Sequence, residues 1–345
     1  MQQNNKLSLE NKTINILLFL PIIILFLFIS ITVLAGLIIL FIGLMTAKLI
    51  YDRNRAKTFN TKGFAYYHIK DYLKAIENYS QAITIYKRYY QAYYNRANVY
   101  YELKEYQKAL DDYNKAISIN PKYAESYNNR GNVYYTINNL KNAIEDYNKT
   151  LAFNPNNYKA YYNRGSAYYI LKDHQKAIED FNQAITLNSN YAEAYNNRGN
   201  AYYALKNYQS AIDDYNEAII NNPNYAEAYN NRGNLYYTLK SYQKAFDDFN
   251  KAITINPNKY ETYNNRGNAY CALKNYQKSL DDYNQAINLN PNYLEGYYNR
   301  GLAYRELEEN EKARTDFQQA INLAQQQGNI ALCQDIKEEL KKINM

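Results

Sequence analysis

Residues 124–157 read AESYNNRGNVYYTINNLKNAIEDYNKTLAFNPNN, and the string Asn129-Arg130-Gly131 within them decides the architecture. It returns as Asn163-Arg164-Gly165, Asn197-Arg198-Gly199, Asn231-Arg232-Gly233, Asn265-Arg266-Gly267 and Asn299-Arg300-Gly301, each time 34 residues on. Asn95-Arg96-Ala97 and Thr61-Lys62-Gly63 carry the register toward the amino terminus. The period therefore lays out eight units: 56–89, 90–123, 124–157, 158–191, 192–225, 226–259, 260–293 and 294–327. A strict period of this size marks stacked supersecondary units, none of which buries its apolar face without a neighbour.

Within a unit the spacing predicts two helices. Tyr127, Gly131 and Tyr134 stand four and three apart, so they share one face of a first helix. Ala143, Tyr147 and Thr150 repeat that spacing on a second. Small residues let the paired helices approach, and aromatic rings fill the layer between units. Pro155 follows the second helix and stops it, as Pro121, Pro223, Pro257 and Pro291 do in their units; Ser189 stands in one. Tyr100, Tyr134, Tyr168, Tyr202, Tyr236, Tyr270 and Tyr304 are assigned to the packed layer.

Tyr195, Gly199, Tyr202, Ala211, Tyr215, Ala218 and Pro223 together resemble the tetratricopeptide-repeat pattern. The departures are local: Thr150 and Ser279 replace Ala, His174 and Asn310 replace an aromatic, and the Arg of each Asn-Arg-Gly string sits where the family usually has Leu. The resemblance implies an all-α, right-handed superhelical solenoid of helix-turn-helix repeats. Residues 328–345 carry an apolar stripe, Ile330, Cys333, Ile336, Leu340 and Ile343, expected to be a helix capping the open end.

Before the repeats the chain is of another kind. Residues 1–12 are polar. From Thr13 to Ala47 no residue is charged, and Lys12 and Lys48 bracket the run. As helix it would be about 50 Å long against a hydrocarbon core of about 30 Å. It is too long for a signal-peptide core and lacks a convincing small-x-small cleavage site. The expectation is a retained transmembrane helix: one long span, or a tight hairpin broken at Pro21, Gly36 or Gly43. Residues 48–55 are expected to be a basic juxtamembrane linker. Lys48, Arg53, Arg55, Lys57 and Lys62 follow the run and only Lys6 and Lys12 precede it, which places the repeats in the cytoplasm.

In the tetratricopeptide family the first helices line a concave inner surface, and the residues facing it flank the Arg-Gly pair. The resemblance places three columns there. One is Asn95, Asn129, Asn163, Asn197, Asn231, Asn265 and Asn299. The second is Asn98, Asn132, Asn200, Asn234 and Asn268, with Ser166 in one unit. The third is Tyr101, Tyr135, Tyr169, Tyr203 and Tyr237. Uncharged amides can bond the backbone of an extended peptide without reading its sequence, and Tyr adds contact area at low entropic cost. The first column resembles the asparagine array in the repeat domain of O-linked GlcNAc transferase. The family's carboxylate clamp needs cations that Asn128, Asn196, Glu125, Glu193 and Glu227 do not supply.

Acidic pairs such as Asp111-Asp112, Glu145-Asp146, Asp213-Asp214 and Asp281-Asp282 recur on the second helices. They suggest a ladder of Arg–carboxylate pairs, Arg198 reaching Asp214 or Asp180 of the preceding unit. The first unit has Lys62 and Asn78 at the matching places.

The formal net charge of +7 is spread too thinly beyond residue 55 for a nucleic-acid footprint. Cys271 and Cys333 make no disulfide framework or zinc spacing, and His68 and His174 are far apart in sequence. No hydrolase, phosphate-loop or calcium motif occurs, so the expectation is a non-enzymatic protein with no cofactor, no metal and no small-molecule substrate. Its partners are expected to be proteins or peptides held in the groove. The alternative is a spacer or assembly factor of a membrane complex that uses its outer face or carboxy-terminal end.

Overall fold

The computed structural model describes residues 2–343, which form seventeen α-helices with no strand among the described residues. Contacts divide after Val133 into two compact units. The first holds α1 (Gln2–His68), α2 (Tyr72–Ile85), α3 (Tyr90–Glu102), α4 (Tyr106–Ile119) and the start of α5 (Ala124–Thr136). The second holds α6 (Leu140–Phe153), α7 (Tyr158–Ile170), α8 (His174–Leu187), α9 (Ala192–Ala204), α10 (Tyr208–Asn221), α11 (Ala226–Thr238), α12 (Tyr242–Ile255), α13 (Tyr260–Ala272), α14 (Tyr276–Leu289), α15 (Leu294–Glu306), α16 (Asn310–Gln326) and α17 (Ile330–Ile343). Within each unit, consecutive helices pack pairwise, a first helix A against a second helix B, and B then packs on the next A.

The pairs close because A carries a glycine where B carries a ring. A Cβ built on Gly199 would lie 2.8 Å from the Tyr215 ring, and one on Gly267 only 2.6 Å from Tyr283. Tyr113, Phe181, Tyr215, Phe249, Tyr283 and Phe317 are fully buried at this contact. Ala at 109, 116, 177, 184, 211, 218, 245 and 252 is buried beside them. Large into small, repeated every 34 residues, is what the spacing predicted.

The two turns of a repeat have different chemistry. Between A and B one residue adopts positive φ in every repeat: Lys70, Lys104, Asn138, Lys172, Lys206, Lys240, Lys274 and Glu308. The Lys206 N–H bonds the Tyr203 carbonyl at 2.9 Å and the Asn207 N–H reaches the Tyr202 carbonyl at 2.9 Å, which closes the end of α9. Asn207 Oδ1 then accepts from the Ser210 N–H and caps α10. Between B and the next A, Asn222 Oδ1 accepts from the Asn224 N–H at 3.2 Å in an Asx turn around Pro223. Asn120, Asn188, Asn256 and Asn290 do the same.

At the amino end the structure takes one of the two forms expected for the apolar run and departs from the expected linker. The apolar run is one helix through Pro21, Gly36 and Gly43, with no hairpin turn, and residues 48–55 are part of that helix instead of a separate linker. No Gly or Pro interrupts residues 44–62, so nothing stops α1 before it becomes helix A of the first repeat. Residues 1–12 and the run through Phe19 lie outside the residues whose side chains are described. The described apolar side chains between Leu20 and Ile50 are exposed, and α1 is the one helix among the described residues long and apolar enough to cross a membrane.

At the other end, Gln325 stands where five repeats have Pro, and α16 runs a turn longer before Gly328 at φ +69°. Cys333 and Ile336 of α17 are buried against Phe317, Ile321 and Leu323, with Leu340 packed alongside. Arg305 pairs with Glu339 across this contact. Ile330 is 75 % exposed, so the predicted stripe does not begin there. It precedes the first full turn that faces α16. The Ile343 side chain lies outside the described residues.

Candidate functional site

Every described Arg of the repeat string is spent on architecture. Arg198 Nε and Nη2 donate to the two oxygens of Asp214 at 2.8 and 2.6 Å, and Nη1 donates to Asn182 on helix B of the preceding repeat at 2.6 Å. Arg164, Arg232, Arg266 and Arg300 pair identically with Asp180, Asp248, Asp282 and Asp316, and reach back to Asn148, Asn216, Asn250 and Asn284. In the first unit Arg96 takes Asp112 and Ser80. The carboxylate therefore comes from the same repeat, and an amide or hydroxyl makes the link to the preceding one, so the Asp180 alternative for Arg198 is not what forms. Arg198 also lies over the Tyr195 ring, 5.4 Å from its centroid.

Burial raises the Asp214 carboxyl above the ordinary carboxylate range, and the Arg198 guanidinium opposes that rise. Burial pulls Arg198 down in turn, and the bonds to Asp214, its negative charge and the neighbouring Tyr202 and Tyr195 together more than offset it.

The first asparagine column turns out to tie one repeat to the next. Asn231 Nδ2 donates to Asn196 Oδ1, Asn265 to Asn230 and Asn299 to Asn264, at 3.0, 3.1 and 2.9 Å. Asn197 donates to the Tyr162 hydroxyl at 3.0 Å. In the first unit Asn95 donates to Asn60, and Asn129 to the Tyr94 hydroxyl and Asn98. Asn163 holds the same register on α7 and is half-buried.

The second column receives phenols from beneath. Asn98, Asn200 and Asn268 accept from the hydroxyls of Tyr113, Tyr215 and Tyr283 on helix B. Their Oδ1 is thereby engaged. Asn234 stands over Phe249, which has no hydroxyl, and among the described residues its side chain has no hydrogen-bond partner.

In the second unit these columns enclose an open pocket of about 460 Å³ lined by Tyr169, Asn200, Tyr203, Tyr215, Asn231, Asn234, Tyr237, Thr238, Asn265 and Asn268. A further pocket beside it is lined by Tyr237, Asn268, Cys271, Ala272, Tyr283, Asn299 and Leu302. In the first unit Asn98, Tyr101, Asn129 and Asn132 share a pocket with Tyr67, Glu102 and Tyr113. The lining of the 460 Å³ pocket is uncharged: it offers only amides, phenols and one hydroxyl.

Burial pushes the phenols of Tyr135, Tyr169 and Tyr237 upward and takes Tyr162, with Glu193 nearby, up to about 12, so they are neutral donors at physiological pH. The sequence missed Tyr215, Thr238 and Cys271 as lining residues. For Tyr215 a partial signal existed: Asn on helix A accompanies Tyr on helix B at 98/113, 132/147, 200/215 and 268/283, and Ser166 and Leu302 accompany Phe181 and Phe317, but Asn234 accompanies Phe249.

No curated protein sequence matches the chain. Among solved structures it resembles a hetero-tetramer of the APC/C proteins Cut9 and Hcn1, with 19 % identity, a TM-score of 0.61, and coverage of 82 % of this chain and 54 % of that one. It also resembles a tetratricopeptide repeat protein from Parabacteroides merdae, at 22 % identity and a TM-score of 0.59 over 72 % of this chain and 99 % of that one. A third is pilF of Pseudomonas aeruginosa, at 20 % identity and a TM-score of 0.54 over 60 % and 94 %. Family models described as tetratricopeptide repeat match residues 56–89, 124–157, 158–191, 192–225, 226–259, 249–281 and 294–327, and one described as TPR repeat matches 97–138 and 267–307. Helix pairs of fixed length, the glycine-into-ring contact and these matches together make the chain a member of the tetratricopeptide-repeat family.

Proposed function

We propose that this protein is a membrane-anchored scaffold whose groove holds extended segments of partner proteins. The uncharged pocket of the second unit carries the reading. Its walls present amide N–H groups and phenols and no competing ion, which suits the regularly spaced carbonyls and N–H groups of an extended backbone. Tyr169, Tyr203 and Tyr237 stand one repeat apart on successive A helices and supply rigid contact area between the amides. Because the first column is engaged between repeats, binding falls chiefly to Asn200, Asn234, Asn268 and these tyrosines; Asn95, Asn129, Asn197, Asn231, Asn265 and Asn299 hold the surface in register.

Anchoring rests on the exposed apolar side chains of α1 from Leu20 onward. The cations that follow them favour a cytoplasmic repeat domain, which protease protection in sealed membranes tests.

The groove is tested with full-length protein carrying a photo-crosslinking residue in place of Tyr203, irradiated with a pool of unstructured synthetic peptides. Adducts are expected at 203, are not expected when the crosslinker replaces Lys251 on the exposed face of α12, and fall when Asn234→Ala and Tyr237→Ala are added. Equal labelling at both positions, or labelling indifferent to the two substitutions in a folded protein, overturns the reading.

A further inference from the structure

The turn between the first and second repeats breaks the rule that the others follow. Between the later repeats this turn opens with Asn-Pro or Asn-Ser, and at Asn120, Asn188, Asn222, Asn256 and Asn290 the Asn makes the Asx bond. Here it reads Tyr86-Lys87-Arg88-Tyr89-Tyr90, without Asn or Pro. Tyr86 and Tyr89 have a structural reason to be present, because they pack on the buried cluster of Ala56, Ala82 and Ala92. Lys87 and Arg88 have none: both are exposed, and neither forms an ion pair among the described residues.

Its position along α1 distinguishes this turn further. It sits level with Arg53–Ala56, close enough that Arg53 opposes the upward push that burial gives the Tyr89 phenol. The apolar side chains of α1 end at Leu49 and Ile50, with Lys48 long enough to snorkel. At about 1.5 Å per residue, Arg53 lies about 5 Å beyond Ile50 and Ala56 about 9 Å beyond. The polar layer of a bilayer is about 5–8 Å thick on each side. No break separates the two levels, since α1 is continuous through both. Exposed Lys48, Arg53, Arg55 and Lys57 face the same zone, with Asp52 as the lone acid among residues 48–63. Tyrosine with Lys and Arg is the side-chain chemistry that suits a membrane–water interface.

We propose that the turn Tyr86–Tyr90 is seated in the anionic headgroup layer of the membrane that α1 enters, so that the first repeat rests on the lipid surface. This rests on α1 being a membrane anchor.

The test uses the full chain with Cys271 and Cys333 replaced by Ala. A fluorophore is placed at Thr84→Cys, on the last turn of α2 beside the seat, or at Ser118→Cys, its counterpart one repeat on. The protein is reconstituted in phosphatidylcholine vesicles with or without phosphatidylserine, and quenching by headgroup spin-labelled lipid is measured after flotation. Expected is stronger quenching at 84 than at 118, dependent on phosphatidylserine. The pair Lys87→Gln and Arg88→Gln should lower the docked-to-lifted ratio about 30-fold, the equivalent of about 2 kcal/mol. A chain that floats yet shows equal quenching at both sites, or quenching unchanged by the two Gln substitutions, overturns the seat and leaves the anchor standing. A folded chain that does not float overturns both.

Discussion

Removing the cation from one Arg–Asp pair tests whether the ladder inside the repeats stabilises them. In Arg198→Met, Asp214 keeps its place with a side chain 6 % exposed and no cation to replace the one lost, and Asn182 loses its donor. Stranding a buried charge costs about 3–5 kcal/mol, and because the guanidinium itself is 18 % exposed the expected loss is near the lower end, about 3 kcal/mol. Asp214→Leu alone strands the cation and should cost about as much. The double variant replaces the pair with apolar groups in a site where relatives of this fold carry Leu in place of Arg, so it should cost only about 1 kcal/mol. The cycle then yields a coupling of several kcal/mol. Urea titration followed by circular dichroism gives the totals, and hydrogen exchange in α9 and α10 localises the loss. Single variants within about 0.5 kcal/mol of the parent, or a double variant whose loss equals the sum, would show that the ladder is ornamental.

Three further outcomes are expected. Lys206→Gly relieves a left-handed residue and should raise the urea midpoint, by about 0.5–1 kcal/mol after glycine's own entropy cost, whereas Lys206→Ala should not. Gly267→Ala brings a Cβ to 2.6 Å from Tyr283 and should cost about 1–3 kcal/mol, toward the low end because Ala97 already stands at that position over Tyr113; Gly36→Ala, with nothing within 4 Å, should cost nothing measurable. Alkaline titration should leave helicity intact up to pH 10. The stability held by neutral buried phenols such as Tyr162 is complete below pH 10 and is lost as pH climbs through about 12, so helicity collapses there. A single ionisation step near pH 10 without loss of helix would refute that assignment.

The fold was legible because its packing is a size code. Gly199 against Tyr215 and Gly267 against Tyr283 can be read from spacing alone, as large and small must alternate for the pair to close. The asparagines were not legible to the same degree. One residue type serves in Asx turns at Asn222, in guanidinium ties at Asn182, in repeat-to-repeat bonds at Asn231 and as phenol acceptors at Asn200, and a string of letters records none of these directions. The same limit hid the carboxylate partner of Arg198: Asp214 and Asp180 are both one helix away in sequence, and only the rotation of helix B selects between them. The left-handed lysines carry no signal either, since Gly or Asn would be the expected residue there. One span and a hairpin both stayed open for α1, because Pro and Gly punctuate helices only where backbone bonds have a better alternative.

An unbroken helix from the apolar run into the first repeat fixes azimuth as well as height. Each residue inserted between Lys48 and Arg55 would swing the repeats by about 100° and raise them by about 1.5 Å, whereas seven would restore the original facing some 10 Å further out. The facing of the first repeat about the axis of α1 is thus geared to the length of that segment, residue by residue.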